Sequence, residues 1–253
     1  MSFKDHFSGH ARVYASFRPG YPKALFDFVS SLPRGRSRVW DCATGNGQAA
    51  VDLAERFDHV IATDASASQL EHAMPHPKVE YRQAPAEHSG LPGGSVDLVT
   101  VATAVHWFDF DRFYAEVNRV LAPGGAVAVW AYNLARISPE IDVLTDRLSH
   151  EIVRPWWPPE RRWVDDDYRD LPFPFAEVEV PRLWIEESWN LERYQDYLGT
   201  WSAINRYVAE NGSDPRELIR DEMKKAWGDP AAERTLRWPI MMRAGYPKKE
   251  KML

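Results

Sequence analysis

The stretch VWDCATGNGQ at residues 39–48 decides the fold of this chain. A β-strand pattern ends near Asp41, a turn of small residues follows, and a helix pattern begins at Gln48. Gly45 and Gly47 have no Cβ atom, so the backbone of the turn is able to approach a ligand closely. The N-terminus of the helix offers free N–H groups and a positive dipole end to an anionic group. These features predict a strand, a ligand-binding turn and a helix.

Strand and helix patterns alternate at short intervals around this turn, from residue 38 to residue 131. The later strands of this region are predicted in HVIATD, KVEYRQ, SVDLVTVATAV and GAVAVWAY, and two further strands in VEVPRLWIEES and TLRWPIMM. Short alternating strands and helices are typical of a doubly wound parallel sheet. We therefore predict an α/β, Rossmann-like fold with a doubly wound, mostly parallel sheet of seven strands.

The sequence after residue 131 is richer in aromatic residues. Six of the 11 Trp residues lie between residues 150 and 205, and residues 154–175 form a long Pro- and Trp-rich segment. A long segment of this kind is a candidate lid. We expect the aromatic region from Trp156 to Trp201 to cover a substrate pocket, with a packed extension of the core as the alternative. Helices are predicted over residues 139–153, 191–208 and 215–227.

The length of the chain allows one large α/β domain with a modest cap. We predict a single domain over residues 1–253. Its core segments are predicted at about 30–135, 176–187 and 233–245, and its helical, aromatic-rich C-terminal lid and cap segments at about 136–175 and 188–232.

Composition limits the partners and the compartment. The formal net charge is −6, whereas nucleic-acid binding needs clustered Lys and Arg, so we expect no nucleic-acid partner. No stretch approaches the roughly 18 apolar residues of a membrane span, and the first residues lack the apolar centre of a signal peptide. Cys42 is the single cysteine, which suits a reducing compartment. We therefore expect a cytoplasmic protein without a membrane partner and, for want of metal-ligand spacing, without a metal ion.

The glycine turn alone leaves its ligand open. Residues 45–50, GNGQAA, fit the dinucleotide pattern G-x-G-x-x-A, and Asp64 ends the next strand, where a carboxylate can accept both hydroxyls of a ribose. One interpretation is therefore an NAD(P)-dependent oxidoreductase. Another is a strand–glycine–helix turn that binds no ligand.

A wider set of motifs resembles the class I S-adenosylmethionine-dependent methyltransferases. Their first motif is an acidic residue followed by Gly-x-Gly-x-Gly, and residues 41–47 match it with Ala43 at the first Gly position. The similarity continues through VIATD, PAEHSGLPGGSVDLVTV and VLAPGGAVAVW. YASFRPGYP and AVHWFDFDRFYAEVNRVL are more narrowly similar to the small-molecule group that includes trans-aconitate-methyltransferase-like proteins. The resemblance covers residues 10–135 and continues more faintly to about residue 245.

This resemblance implies where the cofactor, S-adenosylmethionine, binds. The turn would cradle its methionine part, and Asp64 would bind the ribose. Ala86 and Glu87 would border the adenine. Thr103 and Ala104 would face the methionine amine, which agrees with ligand binding at the carboxyl ends of strands in open α/β sheets. The predicted cofactor-binding residues are Asp41, Ala43, Gly45, Gly47, Asp64, Ala86, Glu87, Thr103, Ala104 and Tyr14.

Further residues are candidates for the acceptor and the chemistry. His106 is either a general base or substrate donor, or a fixed hydrogen-bonding residue. Trp107 is either a wall near the methyl group or a packing residue. Arg18 is a candidate clamp for a carboxylate, of the acceptor or of the cofactor. The predicted substrate-binding residues are Arg18, Tyr21, Trp107, Trp156 and Trp157.

These expectations combine into methyl transfer from S-adenosylmethionine to a small organic acceptor, with S-adenosylhomocysteine as the other product. The narrower resemblance points to carboxylic acids and O-methylation. A carboxylate is ionised at neutral pH and needs no base, whereas a hydroxyl or an amine could need one. The alternatives are an NAD(P)-dependent oxidoreductase and a protein that binds S-adenosylmethionine without turning it over.

Overall fold

A computed structural model describes residues 19–248 of the chain. In this range the strands are β1 Arg38–Cys42, β2 His59–Asp64, β3 Val79–Gln83, β4 Val96–Ala102, β5 Leu121–Tyr132, β6 Ala176–Glu177, β7 Leu183–Trp189 and β8 Arg234–Tyr246. They form one sheet in the order β3-β2-β1-β4-β5-β8-β6, and β7 also pairs with β8. The first five strands are parallel, and β8 is antiparallel to β5, β6 and β7. The sheet is thus mostly parallel in its first half, as the alternating pattern predicts.

The pairing of β1 defines where a ligand can enter. β1 lies between β2 and β4, so the order of strands along the chain reverses at this point. In open α/β sheets, ligands bind outside the carboxyl ends of the strands at such a reversal. Asp41 of β1 and Thr100 of β4 are direct neighbours across it. The predicted glycine turn therefore starts at the edge of the sheet where a cofactor is expected.

Helices cover both faces of the sheet. Asp109 caps the helix Phe110–Val120 by accepting a hydrogen bond from the Arg112 N–H at 3.2 Å, and Phe113 and Val117 bury one face of that helix. The helices are α1 Lys23–Ser31, α2 Gln48–Ala54, α3 Ala67–Leu70, α4 Phe110–Val120, α5 Pro139–Arg147, α6 Arg161–Asp165, α7 Leu191–Gly199, α8 Ser202–Asn211 and α9 Arg220–Trp227.

The buried residues of the range 19–248 form three clusters. One joins α1 and α2 to the sheet through Leu25, Phe26 and Leu53. A second lies on the opposite face, where α4 packs on β4 and β5. The third lies beyond β5, where α5, α7, α8 and α9 pack around β7 and β8. The C-terminal cap therefore has its own apolar core, to which residues of the sheet strands β7 and β8 also contribute.

Two predicted elements differ from the structure at their proline and glycine residues. The strand predicted in VEVPRLWIEES, residues 178–188, begins only at Leu183 as β7, and a short strand that was not predicted, β6, precedes it, which gives eight strands rather than seven. Pro181 has no N–H for a strand pairing, and it falls in the gap between the two strands. The predicted helix over 191–208 is likewise two helices, because α7 ends at Gly199 and α8 begins at Ser202.

Two other predicted helices change type along their length. The prediction over 139–153 corresponds to α5 followed by one turn of π-helix, Leu148–Ile152. The prediction over 215–227 corresponds to a 3₁₀ turn, Pro215–Ile219, followed by α9. Hydrophobic spacing does not distinguish these helix types, because all of them place apolar residues three to five positions apart.

The Pro- and Trp-rich segment 154–175 is folded. It contains the 3₁₀ turn Arg154–Trp156 and the helix α6. Its second half is packed into the core beside α4, with Tyr168 and Leu171 fully buried. Its first half, with Trp156 and Trp157, is only partly buried against the C-terminal cap. Within residues 19–248, no helix has the length and apolar character needed to cross a membrane.

Candidate functional site

The turn after β1 has an unusual backbone. Gly45 and Gly47 have φ angles of 59° and 86°, which glycine adopts without steric penalty. Ala43 has a φ of 54°, a backbone conformation that is sterically unfavourable for any residue with a Cβ atom. Strain of this kind concentrates at ligand sites, because the surrounding structure must hold it in place. The residue at the first Gly position of the motif thus keeps the glycine-like conformation.

Gly47 is required for a reason that the sequence did not indicate. A Cβ atom there would lie 2.1 Å from the Tyr81 hydroxyl oxygen, so the neighbouring ring of β3, and not a ligand, fills this space. The Tyr81 hydroxyl donates to the Met74 carbonyl at 2.7 Å, and the Met74 N–H donates to the Asn46 carbonyl at 2.9 Å. At Gly45, the nearest atom to a Cβ would be 3.8 Å away. Close approach to a ligand is therefore possible at Gly45, whereas Gly47 serves the packing of the turn.

Asp41 is a buried carboxylate directly before the turn. Its two oxygens accept hydrogen bonds from the Thr44 and Thr100 hydroxyls at 2.6 and 2.8 Å. Burial raises the pKa of Asp41 from 3.8 to about 6, although both hydroxyls oppose this, and the nearby Asp64 charge raises it further. A cationic ligand at this edge of the sheet would favour the ionised form.

Asp64 joins the turn to the end of β2. Its carboxylate accepts from the N–H groups of Gly45 and Ser66, both at 2.8 Å. These bonds use one oxygen each, and every carboxylate oxygen can accept more than one hydrogen bond. Asp64 therefore fixes the turn at the end of β2, where the ribose is predicted to bind.

The loop after β3 lies beside these groups. Ala86 is buried, and the Glu87 carboxylate accepts from the Asp109 N–H at 3.0 Å. This bond ties the loop to the start of α4. Glu87 is thus anchored by the start of α4, the helix that follows β4.

Thr103 and Tyr21 meet at the end of β4. Thr103 has a φ of 56°, and its hydroxyl shares a hydrogen bond with the Tyr21 hydroxyl at 2.9 Å. The Tyr21 ring packs edge-on against Trp130 of β5, with ring centroids 5.8 Å apart. The Gln48 amide donates to the Pro19 carbonyl at 3.3 Å, so the entry segment also contacts the start of α2. The structure therefore brings a predicted cofactor residue and a predicted substrate residue together.

His106 lies in a short turn, Val105–Trp107, just after Thr103 and Ala104. Its Nδ1 atom shares a hydrogen bond with the Tyr168 hydroxyl at 2.8 Å, and the Trp107 ring is 5.0 Å away. Burial lowers the pKa of His106 to about 3, and the positive charge of Arg161 adds to this effect. The imidazole is therefore neutral at physiological pH.

Trp156 and Trp157 have different surroundings. The Trp156 N–H donates to Glu210 of α8 at 2.7 Å, and its ring packs on Tyr207, so its contacts point to the cap. The Trp157 N–H donates to the Ser149 carbonyl at 3.1 Å, and the Arg161 guanidinium stacks on its ring at 4.5 Å. Of the two predicted residues, Trp157 is the one connected through α6 to the His106 turn.

Sequence reasoning missed the residues that surround His106. Tyr168 was expected only as part of the aromatic cap, and Arg161 and Asn133 were not singled out. Asn133 directly follows β5, and Asp64 is the last residue of β2, so both lie at carboxyl ends of strands. Tyr14 and Arg18 were predicted site residues, but they lie outside residues 19–248.

Comparisons with known proteins agree with this geometry. Residues 40–129 match a family model described as a methyltransferase domain. A Dictyostelium discoideum protein named as a methyltransferase is 33% identical over 229 residues, which cover 89% of this chain and 87% of that protein. A Saccharomyces cerevisiae protein named as an S-adenosylmethionine-dependent methyltransferase is 24% identical, with 84% of this chain and 86% of that protein covered.

A solved structure extends the match to the fold. A protein from Anaeromyxobacter dehalogenans, described as a type II methyltransferase, is 45% identical to this chain and superposes with a TM-score of 0.85. The match covers 91% of this chain and 99% of that protein. The chain therefore belongs to the S-adenosylmethionine-dependent methyltransferases of class I. Family membership decides the choice of cofactor that GNGQAA left open, and S-adenosylmethionine is the cofactor.

The residues present fit this cofactor. The left-handed backbone at Ala43 and Thr103 flanks the crevice between β1 and β4, and Asp41 and Asp64 supply negative charge for a cationic ligand. Among residues 19–248, no group of three or more His, Cys, Asp or Glu side chains is arranged to hold a metal ion.

Proposed function

We propose that this methyltransferase transfers a methyl group to a small organic acid and forms a methyl ester. The supporting observation is the state of His106, which is buried, bonded to Tyr168 through Nδ1, and held at a pKa of about 3. An imidazole with so low a pKa is a weak base at neutral pH. An acceptor that is already ionised, such as a carboxylate, needs no base. His106 then orients the acceptor, or the Tyr168 side chain to which it is bonded, without removing a proton.

The reaction balances without a proton acceptor. S-Adenosylmethionine supplies a methyl group bonded to a sulfonium sulfur. A carboxylate oxygen attacks the methyl carbon, and the carbon–sulfur bond breaks with its electron pair remaining on sulfur. The products are a methyl ester and S-adenosylhomocysteine. The task of the protein is to hold the two reactants in line, which accounts for a large share of the rate of such reactions.

We assign the cofactor to the crevice between β1 and β4. In this proposal the turn at 43–47 holds the methionine part, Asp64 accepts from the ribose hydroxyls, and Ala86 and Glu87 border the adenine. The ionised carboxylate of Asp41 attracts the positively charged methionine end of the cofactor. Thr103 and Ala104 face the methionine amine, and Tyr14, which lies outside residues 19–248, stays a predicted cofactor-binding residue by the resemblance alone.

We assign the acceptor to the side of the crevice near β4 and β5. Tyr21 contributes a hydroxyl held by Thr103 at 2.9 Å, and Trp107 contributes a partly buried ring beside His106. Arg18 stays a candidate residue for binding an anionic group of the acceptor or of the cofactor. The likeness to trans-aconitate-methyltransferase-like proteins and the net charge of −6 both favour a small molecule over nucleic acid. The single cysteine supports a cytoplasmic location.

An acceptor panel tests this function. The panel contains small carboxylic acids, each with its amide and its corresponding alcohol, together with amines and RNA. Release of S-adenosylhomocysteine reports turnover, and mass spectrometry identifies the product. We expect methyl esters of acids and no methylation of the matched amides. Efficient methylation of RNA, or of alcohols and amines in preference to acids, contradicts the proposal.

A further inference from the structure

The guanidinium of Arg161 is held rigidly at the acceptor side of the site. Its Cζ atom lies over the Trp157 ring, 4.5 Å from the ring centroid. Its Nε atom donates to Asp165 at 2.8 Å, and its Nη2 atom donates to the Asn133 side-chain oxygen at 3.3 Å. The side chain is 18% exposed. A guanidinium fixed in this way loses little conformational freedom when it binds an anion.

One edge of this guanidinium stays available for a ligand. Nη1 of Arg161 donates no hydrogen bond to any residue in the described range 19–248. Other arginines of the chain already make two or more hydrogen bonds to one carboxylate. These pairs are Arg136 with Asp146, Arg147 with Glu222, Arg216 with Asp214, and Arg243 with Glu177. Arg161 meets its carboxylate through Nε alone, and that carboxylate is 40% exposed, so water weakens the pairing.

The fold places Arg161 next to the site. Arg161 begins α6, which packs against the turn Val105–Trp107 at the end of β4. Asn133, its hydrogen-bond partner, directly follows β5. The positive charge of Arg161 is close enough to His106 to contribute to the lowered pKa of that imidazole.

The charges of the site are divided between its two sides. Asp41, Asp64 and Glu87 lie on the side that is assigned to the cofactor, whose sulfonium is cationic. Arg161 lies on the other side, toward β5. An anionic acceptor is repelled by the first side and attracted by the second, so this distribution orients it.

We propose that Arg161 binds an anionic group of the acceptor other than the oxygen that is methylated, so that the preferred acceptor is a dicarboxylic acid or a similar dianion. This inference rests on the proposed function. Arginine binds a carboxylate through charge-assisted hydrogen bonds and thereby lowers its nucleophilicity. A carboxylate held by Arg161 is therefore the anchor, and a second carboxylate is the one that attacks.

Kinetics of matched acids test this assignment. The probes are straight-chain dicarboxylic acids from succinate to adipate, each compared with its half-amide. The variants are Arg161→Gln, Arg161→Lys and, as a control, Arg162→Gln, since Arg162 is the exposed neighbour in the same helix. For Arg161→Gln we expect roughly a ten- to hundredfold higher KM for the diacid, with kcat and the affinity for S-adenosylhomocysteine nearly unchanged. Arg161→Lys restores part of the loss, and Arg162→Gln behaves as the wild type.

The outcomes separate the two proposals. If the wild type methylates diacids and half-amides equally well, or if Arg161→Gln keeps the wild-type preference, the assignment of Arg161 is wrong while acid methylation stands. If Arg18→Gln alone removes the preference for the diacid, the anchor is Arg18 and the assignment again fails. If the wild type methylates no acid, the proposed function fails, and this inference fails with it. A half-amide is a suitable control because it has nearly the shape of the diacid and lacks one charge.

Discussion

Ala43 and Thr103 have left-handed backbone conformations that residues with a Cβ atom rarely adopt, with φ angles of 54° and 56°. One follows β1 and the other follows β4, the two strands at which the strand order reverses. Such strain costs of order 1–3 kcal/mol per residue and persists only where the surrounding structure enforces it. We interpret this as a crevice shaped by the fold before any ligand binds, with Asp41 and Asp64 providing its charge.

Asp64 carries the first prediction at this scale. Asp64→Ala should weaken the binding of S-adenosylmethionine by roughly tenfold or more, because the ribose hydroxyls lose a charged acceptor worth about 1.5–3 kcal/mol. The N–H of Gly45 also loses its partner, so the folded state must be checked by circular dichroism. Asp58→Ala is the control, since Asp58 is exposed and precedes the same strand at its other end. Calorimetry that gives equal affinities for the two folded variants contradicts the placement of the ribose.

Asp41 carries a prediction about pH. Its pKa is about 6 in the folded protein against 3.8 in its ordinary state, so the folded chain keeps this proton to higher pH than the unfolded chain. Stability of the ligand-free fold therefore falls as pH rises from about 4 to about 6, and this loss is complete and constant above that range and absent below about pH 4. Asp41→Asn should raise the free energy of unfolding at pH 8 by up to about 3 kcal/mol and change it little at pH 4. Urea unfolding at both pH values measures the difference.

The same residue should make cofactor binding depend on pH. Protonated Asp41 no longer attracts the cationic cofactor, so the dissociation constant of S-adenosylmethionine should rise as pH falls below about 6. In Asp41→Asn the affinity should be lower at pH 8 and nearly independent of pH between 5 and 8. Calorimetric titrations of both proteins across this range provide the test. An unchanged pH dependence in the variant assigns the effect to another group.

At the scale of elements, the glycine turn is built by its neighbours. Tyr81 of β3 fills the space beside Gly47, and the Tyr81–Met74–Asn46 bonds connect the turn to the segment before β3. The start of α2 also receives the entry segment through Gln48 and Pro19. The turn is thus held from two sides, by a strand two positions away in the sheet and by residues that precede the first helix.

This arrangement predicts different effects for the two glycines. Gly47→Ala should destabilise the fold by at least about 1–3 kcal/mol, because its Cβ atom would lie 2.1 Å from the Tyr81 hydroxyl and its φ is 86°. Gly45→Ala should destabilise the fold less, because an added Cβ atom meets no close neighbour there and only the φ of 59° is unfavourable. Tyr81→Ala should relieve part of the Gly47→Ala defect in a double-mutant cycle followed by denaturant unfolding. Additive effects of the two substitutions would show that the ring does not limit this position.

The sequence predicts the elements better than it predicts their contacts. The strand–turn–helix at 39–48 and the end of β2 at Asp64 are visible because apolar runs and glycines are local signals. The partners of His106 are not local: Tyr168 is 62 positions away, and Arg161 reaches the site only through the packing of α6. The role of Tyr81 beside Gly47 is hidden for the same reason, since it depends on the pairing of β2 with β3. Breaks in the cap helices are missed because apolar spacing continues across them.

At the scale of the whole molecule, the segment 154–175 connects the cap to the core. Its second half is fixed, because Tyr168 and Leu171 are fully buried and Arg243 donates to backbone carbonyls of this stretch. Its first half carries partly buried Trp156 and Trp157 on the surface of the cap. We therefore propose that any lid movement over the acceptor is confined to the first half, with the second half as its anchor.

Hydrogen exchange tests this division. Residues 154–160 should become more protected when S-adenosylhomocysteine and an acid acceptor are both bound, since closure over the site reduces local opening. Residues 161–175, which begin with α6, should stay protected with or without ligands. The helix α9, remote from the site in the cap, is the internal reference. Equal exchange of residues 154–160 in all states would show that this half is also part of the fixed core.

The most direct test of the central claim follows the methyl group itself. The protein is incubated with S-adenosylmethionine that carries an isotopically labelled methyl group and with the small acids of the acceptor panel. We predict that the label appears as the methyl ester of an acid, in equal amount to the S-adenosylhomocysteine formed, and that alkaline hydrolysis returns the unlabelled acid. A label that remains on the cofactor with every acid, or that is recovered on nitrogen or on an alcohol oxygen, contradicts the account.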